Sequence, residues 1–283
     1  LLRAARGPQG GPPAASVARQ WGRWWGEESQ TWSGQGSSAA QYIGPMLSSA
    51  ALWLSARLPQ QCLACHTWAQ GGPLCAACWA TFAPHGPAAP PRCTGCGLAL
   101  PQGYSGPRCG ACRRQPPPWQ ACHVWVDYAY PWADLLTRWK LHQQPALARP
   151  IAHWLGADPA IAAAVAQADV LVPIPLSRQR LRQRGFNQAA QLTALLAPAK
   201  SHPMALQRQQ EAPSQRGLTR VQRQRNLRQA FHVPAPAALQ GQRVLLVDDV
   251  LTTGATLQAA CLALQAAGAQ EVAVVAVART PNS

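Results

Sequence analysis

Residues 244–257 read VLLVDDVLTTGATL, a pattern that few folds can accommodate. The apolar run predicts a buried strand, two adjacent carboxylates stand at its end, and a turn of threonines and glycine leads into a helical pattern, ATLQAACLALQAAG, with Gly268 as its C-terminal glycine. A second strand, EVAVVAVAR, follows at once. Strand, helix, strand over so short a span demands a parallel crossover, which makes the main domain α/β. In such sheets the C-terminal strand ends open on the ligand crevice. Asp248 and Asp249 sit at that opening. Thr252, Thr253, Gly254, Ala255 and Thr256 form the turn into the helix N-terminus, where free N–H groups and the helix dipole favour a phosphate. Carboxylates for hydroxyls or a metal ion, followed by a phosphate cradle, suit a ribose 5-phosphate. A Walker loop would end in Gly-Lys-Ser/Thr and a dinucleotide fingerprint would read G-x-G-x-x-G; neither stands here. A response-regulator receiver needs most of a domain after its acids, where only residues 250–283 remain.

The second constraint is cysteine spacing. Eight of the ten cysteines fall in four C-x-x-C pairs: Cys62/Cys65, Cys75/Cys78, Cys93/Cys96 and Cys109/Cys112. Two residues between thiolates let one tight turn present both sulfurs to a tetrahedral ion, so four pairs predict two structural zinc sites. Sequential sharing of the ions and a cross-braced arrangement are both open on spacing alone. Glycines in CTGCG (93–97) and CGAC (109–112) fit knuckles whose backbone turns toward sulfur. A thiol-redox role would require a thioredoxin-like unit after the motif. The module is too small to bury much core, and the metal is expected to supply its folding energy. Cys122 and Cys261 stand outside the pairs, Cys261 as a small core residue of an apolar helix. His66 and His85 are read as loop residues rather than ligands, and His202 and His232 as lying in loop-like surroundings. Thiols used in this way suit a reducing, cytoplasmic setting.

Composition divides the chain into a Gly/Pro/Ser-rich segment over 1–45, expected to be disordered, a cysteine module over 46–120, and an α/β domain over 121–283. Met46 is the expected natural start. RRQPPPWQ (113–120) reads as a stiff exit from the cysteine module. PWADLLTRWKLHQ (131–143) has helical spacing that ALARPIAHWLG continues, PAIAAAVAQA (159–168) is a further helix, DVLVPIP (169–175) a buried strand and GFNQAAQLTALLA (185–197) a helix. No stretch approaches the length of a membrane helix. The 25 Lys and Arg against 10 Asp and Glu give +15, which suits a polyanionic partner. Between 176 and 228 stand ten Arg and one Lys against a single acid, Glu211, more than one pyrophosphate requires. Part of that surplus is read as a surface for single-stranded nucleic acid, beside the plainer reading of a solvated basic face.

The pattern at 244–256 resembles the phosphoribosyl pyrophosphate (PRPP) motif of type I phosphoribosyltransferases. The resemblance implies that Asp248 and Asp249 hold the ribose hydroxyls, that the loop from Thr252 to Thr256 holds the 5-phosphate, and that magnesium bridges ribose and pyrophosphate oxygens. Four N-terminal C-x-x-C pairs, then VPIPLSRQRLRQRGFNQ (172–188), SQRGLTRVQRQRNLRQAF (214–231) and VLLVDDVLTTGATL resemble together the ComF family of competence proteins and its double zinc ribbon relatives. The resemblance spans roughly residues 46–279. By position, Arg184, Gly185, Phe186, Asn187 and Gln188 match the R-G-F-N-Q turn. Gln215, Leu218, Arg223, Asn226 and Phe231 match the second basic block, and Lys140 in RWKLHQ matches a lysine near the end of the first core helix. The family implies a type I phosphoribosyltransferase-like parallel sheet behind a zinc-ribbon module, acting in DNA uptake and natural transformation with the transport helicase on single-stranded DNA in the cytoplasm. Arg180, Arg184, Gly185, Asn187, Gln188 and Arg223 are the candidates for pyrophosphate or nucleic acid. Whether phosphoribosyl transfer occurs, or PRPP serves as a regulatory signal to an adaptor, stays open. A metabolic transferase acting on a small base or amine is the alternative; Phe186 and Phe231 are its candidate stacking aromatics.

Overall fold

The structure, a computed structural model, describes residues 60–69, 73–84, 90–142, 144–208 and 230–281. Met46, His85, Arg223 and the segments 1–45 and 209–229 lie outside them. The chain opens with a two-stranded antiparallel hairpin, β1 (Gln60–Gln61) and β2 (Trp68–Ala69), followed by helix α1 (Ala76–Phe82). The second cysteine group carries the short helix α2 (Gly110–Arg114). Next come β3 (Cys122–Asp127), α3 (Trp132–Leu141), α4 (Ala148–Ala157), α5 (Pro159–Gln167) and β4 (Val170–Pro173). Helices α6 (Arg178–Arg184) and α7 (Gln188–Leu196) precede a small antiparallel pair, β5 (Gln207–Arg208) and β6 (Phe231–His232). The unit closes with β7 (Arg243–Leu251), α8 (Ala255–Ala266) and β8 (Glu271–Arg279).

Four strands make one parallel sheet in the order β3-β8-β7-β4. Both its faces are covered, which is why β7 and β8 are apolar at nearly every position rather than at alternate ones. The period of two still sorts their side chains. Leu245, Val247, Val275 and Val277 enter one core with Leu135, Trp139, Ile151, Leu155 and Leu192 of the helices on that side. Val244, Leu246, Val274 and Ala276 enter the other, with Leu257, Ala260 and Leu264 of α8 and Phe231 of β6. Each fully buried branched side chain contributes roughly 1.5–3 kcal/mol, so the sheet rather than any single helix carries the fold. Among the described residues no helix is long and apolar enough to cross a membrane.

Local signals set the helix ends. Asp158 caps α5, accepting from the N–H of Ala160 at 2.8 Å and of Ile161 at 3.0 Å, with Pro159 at the first helical position. Lys200 donates Nζ to the carbonyls of Val165, Ala166 and Ala168 at the other end of the same helix. The expected continuous helix from 131 into ALARPIAHWLG is broken. Pro145, which has no N–H to give, starts a 3-10 turn over Pro145–Leu147, and α4 begins only at Ala148. Two further differences are that β3 was not anticipated as a strand and that the basic run 178–184 is helical.

The first cysteine group joins the domain through aromatic rings. Trp79 of α1 lies 6.3 Å from Trp125, 6.2 Å from Trp132 and 5.1 Å from Trp154, and Trp125 lies 4.7 Å from Trp132 and 5.4 Å from Trp154. These separations are those of stacked and edge-to-face pairs. Tyr130 adds one polar tie, its hydroxyl donating to the carbonyl of Ala64 at 2.5 Å.

Candidate functional site

Strand β7 runs two residues beyond its acids, to Leu251. Asp249 shares the strand face of Leu245 and Val247 and meets Lys140 of α3, whose Nζ lies 2.9 Å from Oδ1. Arg184, the last residue of α6, brings Nη1 to 3.9 Å from Oδ2 of the same carboxylate and donates to Oε1 of Gln188 at 3.1 Å. Gln188 is 1 % exposed, and its Nε2 has no hydrogen-bond partner. Asp248 lies on the opposite face and accepts from the N–H of Asp249 at 2.8 Å. Burial, and after it the charge of Asp249, push the Asp248 carboxyl up to about 8, against the lowering effects of that N–H bond, Lys140 and Arg184.

The sign of the resulting pH dependence follows. The folded carboxyl holds its proton well above 3.8, the ordinary value at which the unfolded one releases it. Its favourable contribution is therefore complete below that value and declines as pH rises toward about 8. The urea midpoint of the unliganded chain should fall between pH 5 and pH 8, and Asp248→Asn should flatten that part of the profile. An unchanged slope in the variant would assign the dependence to other groups.

The R-G-F-N-Q turn has a local explanation. Gly185 ends α6 at φ 78°, a left-handed conformation costly for other residues, and Asn187 begins α7 by accepting from the N–H groups of Ala189 and Ala190. Asn187 also donates Nδ2 to the carbonyl of Ile174, just past β4. Arg184 and Gln188 are thereby set beside the acids. Arg178, Arg180 and Arg182 are exposed on α6. The strand within DVLVPIP pairs with the acidic strand, Val170 with Val244 and Pro173 with Val247.

Beyond β7, Thr252 and Thr253 are exposed, while Gly254, Ala255 and Thr256 are partly buried. Gly254 stands at φ 80° immediately before α8, and Thr253 Oγ1 accepts from the Ala255 N–H at 3.4 Å. Two contributors to the surroundings were not legible as such. Lys140 had only a family match to mark it, because its partner lies far along the chain. Trp119, in the segment read as a stiff exit, is 6 % exposed and rests against Gly254, with Cη2 3.5 Å from where a Cβ at that glycine would stand. His66, His202 and His232 are exposed; His66 and His202 lie outside helices and strands, whereas His232, expected in a loop, is drawn into β6 by pairing with Gln207. Phe231 is buried under α8, and Phe186 is partly buried with its ring packed on the helical core.

The cysteines resolve into Cys62, Cys65, Cys75 and Cys78, and Cys93, Cys96, Cys109 and Cys112, with the four sulfurs of each group within 4.8 Å of one another. Sharing is therefore sequential, and not cross-braced. The sulfurs of Cys65 and Cys75 lie 3.6 Å apart and those of Cys96 and Cys109 3.8 Å. A zinc–sulfur bond of about 2.3 Å puts tetrahedral sulfurs about 3.8 Å apart, so both groups fit the ion. Backbone N–H groups turn inward, Cys75 to the sulfur of Cys62 at 3.3 Å and Cys109 to that of Cys93 at 3.2 Å. Although burial raises them, these and similar bonds bring the Cys62 thiol down to about 6 and the Cys93 thiol down to about 7, while burial and the neighbouring sulfurs push Cys78 up to about 12, Cys96 up to about 11 and Cys112 up as well. Burial also pushes Cys122 and Cys261 up to about 12, as befits core residues.

Comparison with known proteins agrees with this division. A double zinc ribbon domain matches residues 53–123, and a phosphoribosyl transferase domain matches residues 184–283. The chain is 32 % identical over 194 residues to the DNA utilization protein YhgH of Escherichia coli K12, covering 66 % of this chain and 84 % of that protein. It is 32 % identical over 196 residues to competence protein F of Haemophilus influenzae, covering 67 % and 85 %. Competence protein ComFC of Bacillus subtilis is 38 % identical over 95 residues, covering 34 % and 38 %. With two relatives 32 % identical and matched over 84 % and 85 % of their own lengths, and with a double zinc ribbon and a phosphoribosyl transferase domain matched on the two parts of the chain, the chain belongs to the ComF family of competence and DNA utilization proteins.

Proposed function

We propose that the chain binds PRPP with magnesium at Asp248, Asp249 and the loop Thr252–Thr256, and that it acts on single-stranded DNA during its uptake or use. The observation carrying this reading is the convergence of Lys140 and Arg184 on Asp249 beside an open helix N-terminus. The acids suit ribose hydroxyls. The N–H groups at the start of α8 suit the 5-phosphate. Lys140 and Arg184 supply cationic partners for pyrophosphate oxygens. Magnesium, when bound with PRPP, supplies charge neutralisation at those oxygens. If the pyrophosphate leaves, positive charge grows on the ribose ring, and the carboxylates of Asp248 and Asp249 stabilise it from fixed positions. Asp248 must first lose the proton that its burial favours. The exposed Arg178, Arg180 and Arg182 suit a nucleic-acid backbone. The names of the relatives, which concern competence and DNA utilization, support a place in DNA handling; the cytoplasm and an uptake helicase as partner are carried by the family resemblance alone. Arg223 remains a candidate in the same role.

A metabolic transferase acting on a small aromatic base is less well supported, because both candidate stacking rings are packed against the cores. The test is calorimetry of the full chain with PRPP, with and without magnesium, beside titration of an oligothymidylate at several salt concentrations. Saturable PRPP heat that requires magnesium is expected. The logarithmic salt slope for DNA should become shallower by roughly one for each of Arg178→Gln, Arg180→Gln and Arg182→Gln. Absence of PRPP heat with magnesium would overturn the ligand assignment. An unchanged salt slope would remove DNA from α6.

A further inference from the structure

The two cysteine groups are attached to the domain in different ways. The first is seated by the tryptophan cluster and Tyr130. The second is held by a series of hydrogen bonds to the backbone of its knuckle, Cys93–Gly97. The Thr94 carbonyl accepts from the N–H of Cys122 at 2.7 Å, the Gly95 carbonyl from Nε1 of Trp119 at 2.7 Å, and the Cys96 carbonyl from Nε of Arg279 at 2.9 Å. Three successive carbonyls thus face donors from outside the knuckle. Their orientation is the one that turns Cys93 and Cys96 toward a shared ion, and the Gly95 N–H meanwhile donates to the Cys93 sulfur at 3.4 Å.

Two of these donors also reach the ligand loop. Arg279, 7 % exposed at the end of β8, donates Nη1 to the carbonyl of Leu251 at 3.1 Å as well as to Thr280. Leu251 is the last residue of β7 before Thr252. Trp119 lies against Gly254, the last residue before α8. The pair Thr252–Thr253 is therefore bracketed by Leu251 and Gly254, and each bracket rests on a side chain whose other end holds the second knuckle. The side-chain amide of Gln265 in α8, donating to the Pro118 carbonyl at 2.8 Å, keeps the segment carrying Trp119 against the same helix.

We infer that Arg279 and Trp119 are positioning residues through which metal occupancy of the second four-cysteine group sets the loop 252–256 for its phosphate ligand. The inference rests on the PRPP assignment above. Metal in Cys93, Cys96, Cys109 and Cys112 fixes the knuckle carbonyls, these fix the guanidinium and the indole, and those hold the loop at its start, Leu251, and at its midpoint, Gly254. The coupling is reciprocal by thermodynamic necessity: a ligand favoured by the metal must itself favour retention of the metal, by the same factor. Among the described residues the first group makes no hydrogen bond to that loop, its ties running to Trp125, Trp132, Trp154 and Tyr130.

The decisive experiment follows zinc loss from the full chain to a chromophoric chelator, with and without PRPP and magnesium, beside calorimetry of the same samples. PRPP is expected to slow the loss of one of two zinc equivalents by about 10-fold and to leave the other unchanged. Trp119→Phe, which keeps an aromatic ring but removes the donor to Gly95, should weaken PRPP binding by about 5- to 10-fold and abolish the selective slowing. Tyr130→Phe, which cuts the tie of the first group, should alter neither reading. Arg279→Lys should restore part of what Arg279→Gln loses, because it keeps a cationic donor in place. Wild-type chain that binds PRPP while neither zinc equivalent is slowed overturns the coupling but leaves the ligand assignment standing. Wild-type chain that does not bind PRPP overturns both. The zinc-loss comparison needs no variant, so a poorly folding Arg279→Gln chain does not shelter the proposal.

Discussion

Asparagine at position 249 is expected to lower affinity for PRPP and magnesium by about 100-fold or more, the equivalent of ~3 kcal/mol. The carboxylate has two roles, and a pair of substitutions separates them. In the unliganded chain it is the anion opposite Lys140, with side-chain exposures of 15 % for the lysine and 14 % for the acid. Asp249→Asn leaves that ammonium largely out of water without its counter-charge, at a cost of ~1–3 kcal/mol, between the values for exposed and buried pairs. Lys140→Met in the same chain removes the stranded charge, and the urea midpoint should return toward wild type. Ligand affinity should stay low, because both the acid assigned to the ribose hydroxyls and the cation assigned to pyrophosphate are then missing. Recovery of both together would show that the acid acts only as a structural partner of Lys140.

The second large effect is steric. Gly97 stands at φ +71°, and a Cβ placed on it would lie 2.2 Å from Cγ2 and 3.0 Å from Cβ of Val124. Neither neighbour has room to yield. Gly97 donates its N–H to the Cys93 carbonyl at 2.8 Å and accepts at its own carbonyl from Arg92 Nη1 at 3.0 Å. Val124 is buried in β3, 6 % exposed. Gly97→Ala should cost about 3 kcal/mol, combining overpacking with a left-handed conformation for a residue that bears a Cβ. That is a large part of a typical domain's stability. Urea denaturation and zinc content measure it. In a Val124→Ala background the added cost should fall to roughly 1–2 kcal/mol, the conformational part alone. An equal cost in both backgrounds would refute the collision.

What could be read from the sequence was what neighbouring residues determine. The β7, α8, β8 unit is legible because its strand, turn and helix signals lie within one continuous stretch, and the eight metal-binding cysteines because C-x-x-C spacing marks each pair; which pairs share an ion depends on the fold and was open until the structure grouped them. Strand β3 was missed for the opposite reason. CHVWVD mixes polar, aromatic and acidic residues, and its extended form depends on pairing Cys122 with Val274 and Val124 with Ala276, far along the chain. Lys140 could be placed on a helix but not against Asp249, since that contact depends on how α3 crosses the sheet. Trp119 followed three prolines that suggested a spacer, and nothing nearby marks it as a buried ring reaching two separate loops. The Gly and Asn of the 184–188 turn did carry a local signal, a left-handed helix end followed by an N-cap, which a closer reading of capping preferences would have turned into two helices.

The tryptophan cluster has an optical consequence. Indoles as near to one another as Trp79, Trp125, Trp132 and Trp154, at centroid distances from 4.7 to 6.3 Å, do not absorb and emit as independent chromophores. Their transition dipoles couple, and the coupling depends on the mutual angles of the rings. Three of the four belong to the sheet and its helices, while Trp79 belongs to the helix that carries Cys78. The protein thus contains its own spectroscopic gauge of whether the first ribbon is seated, readable without a label and independent of any ligand.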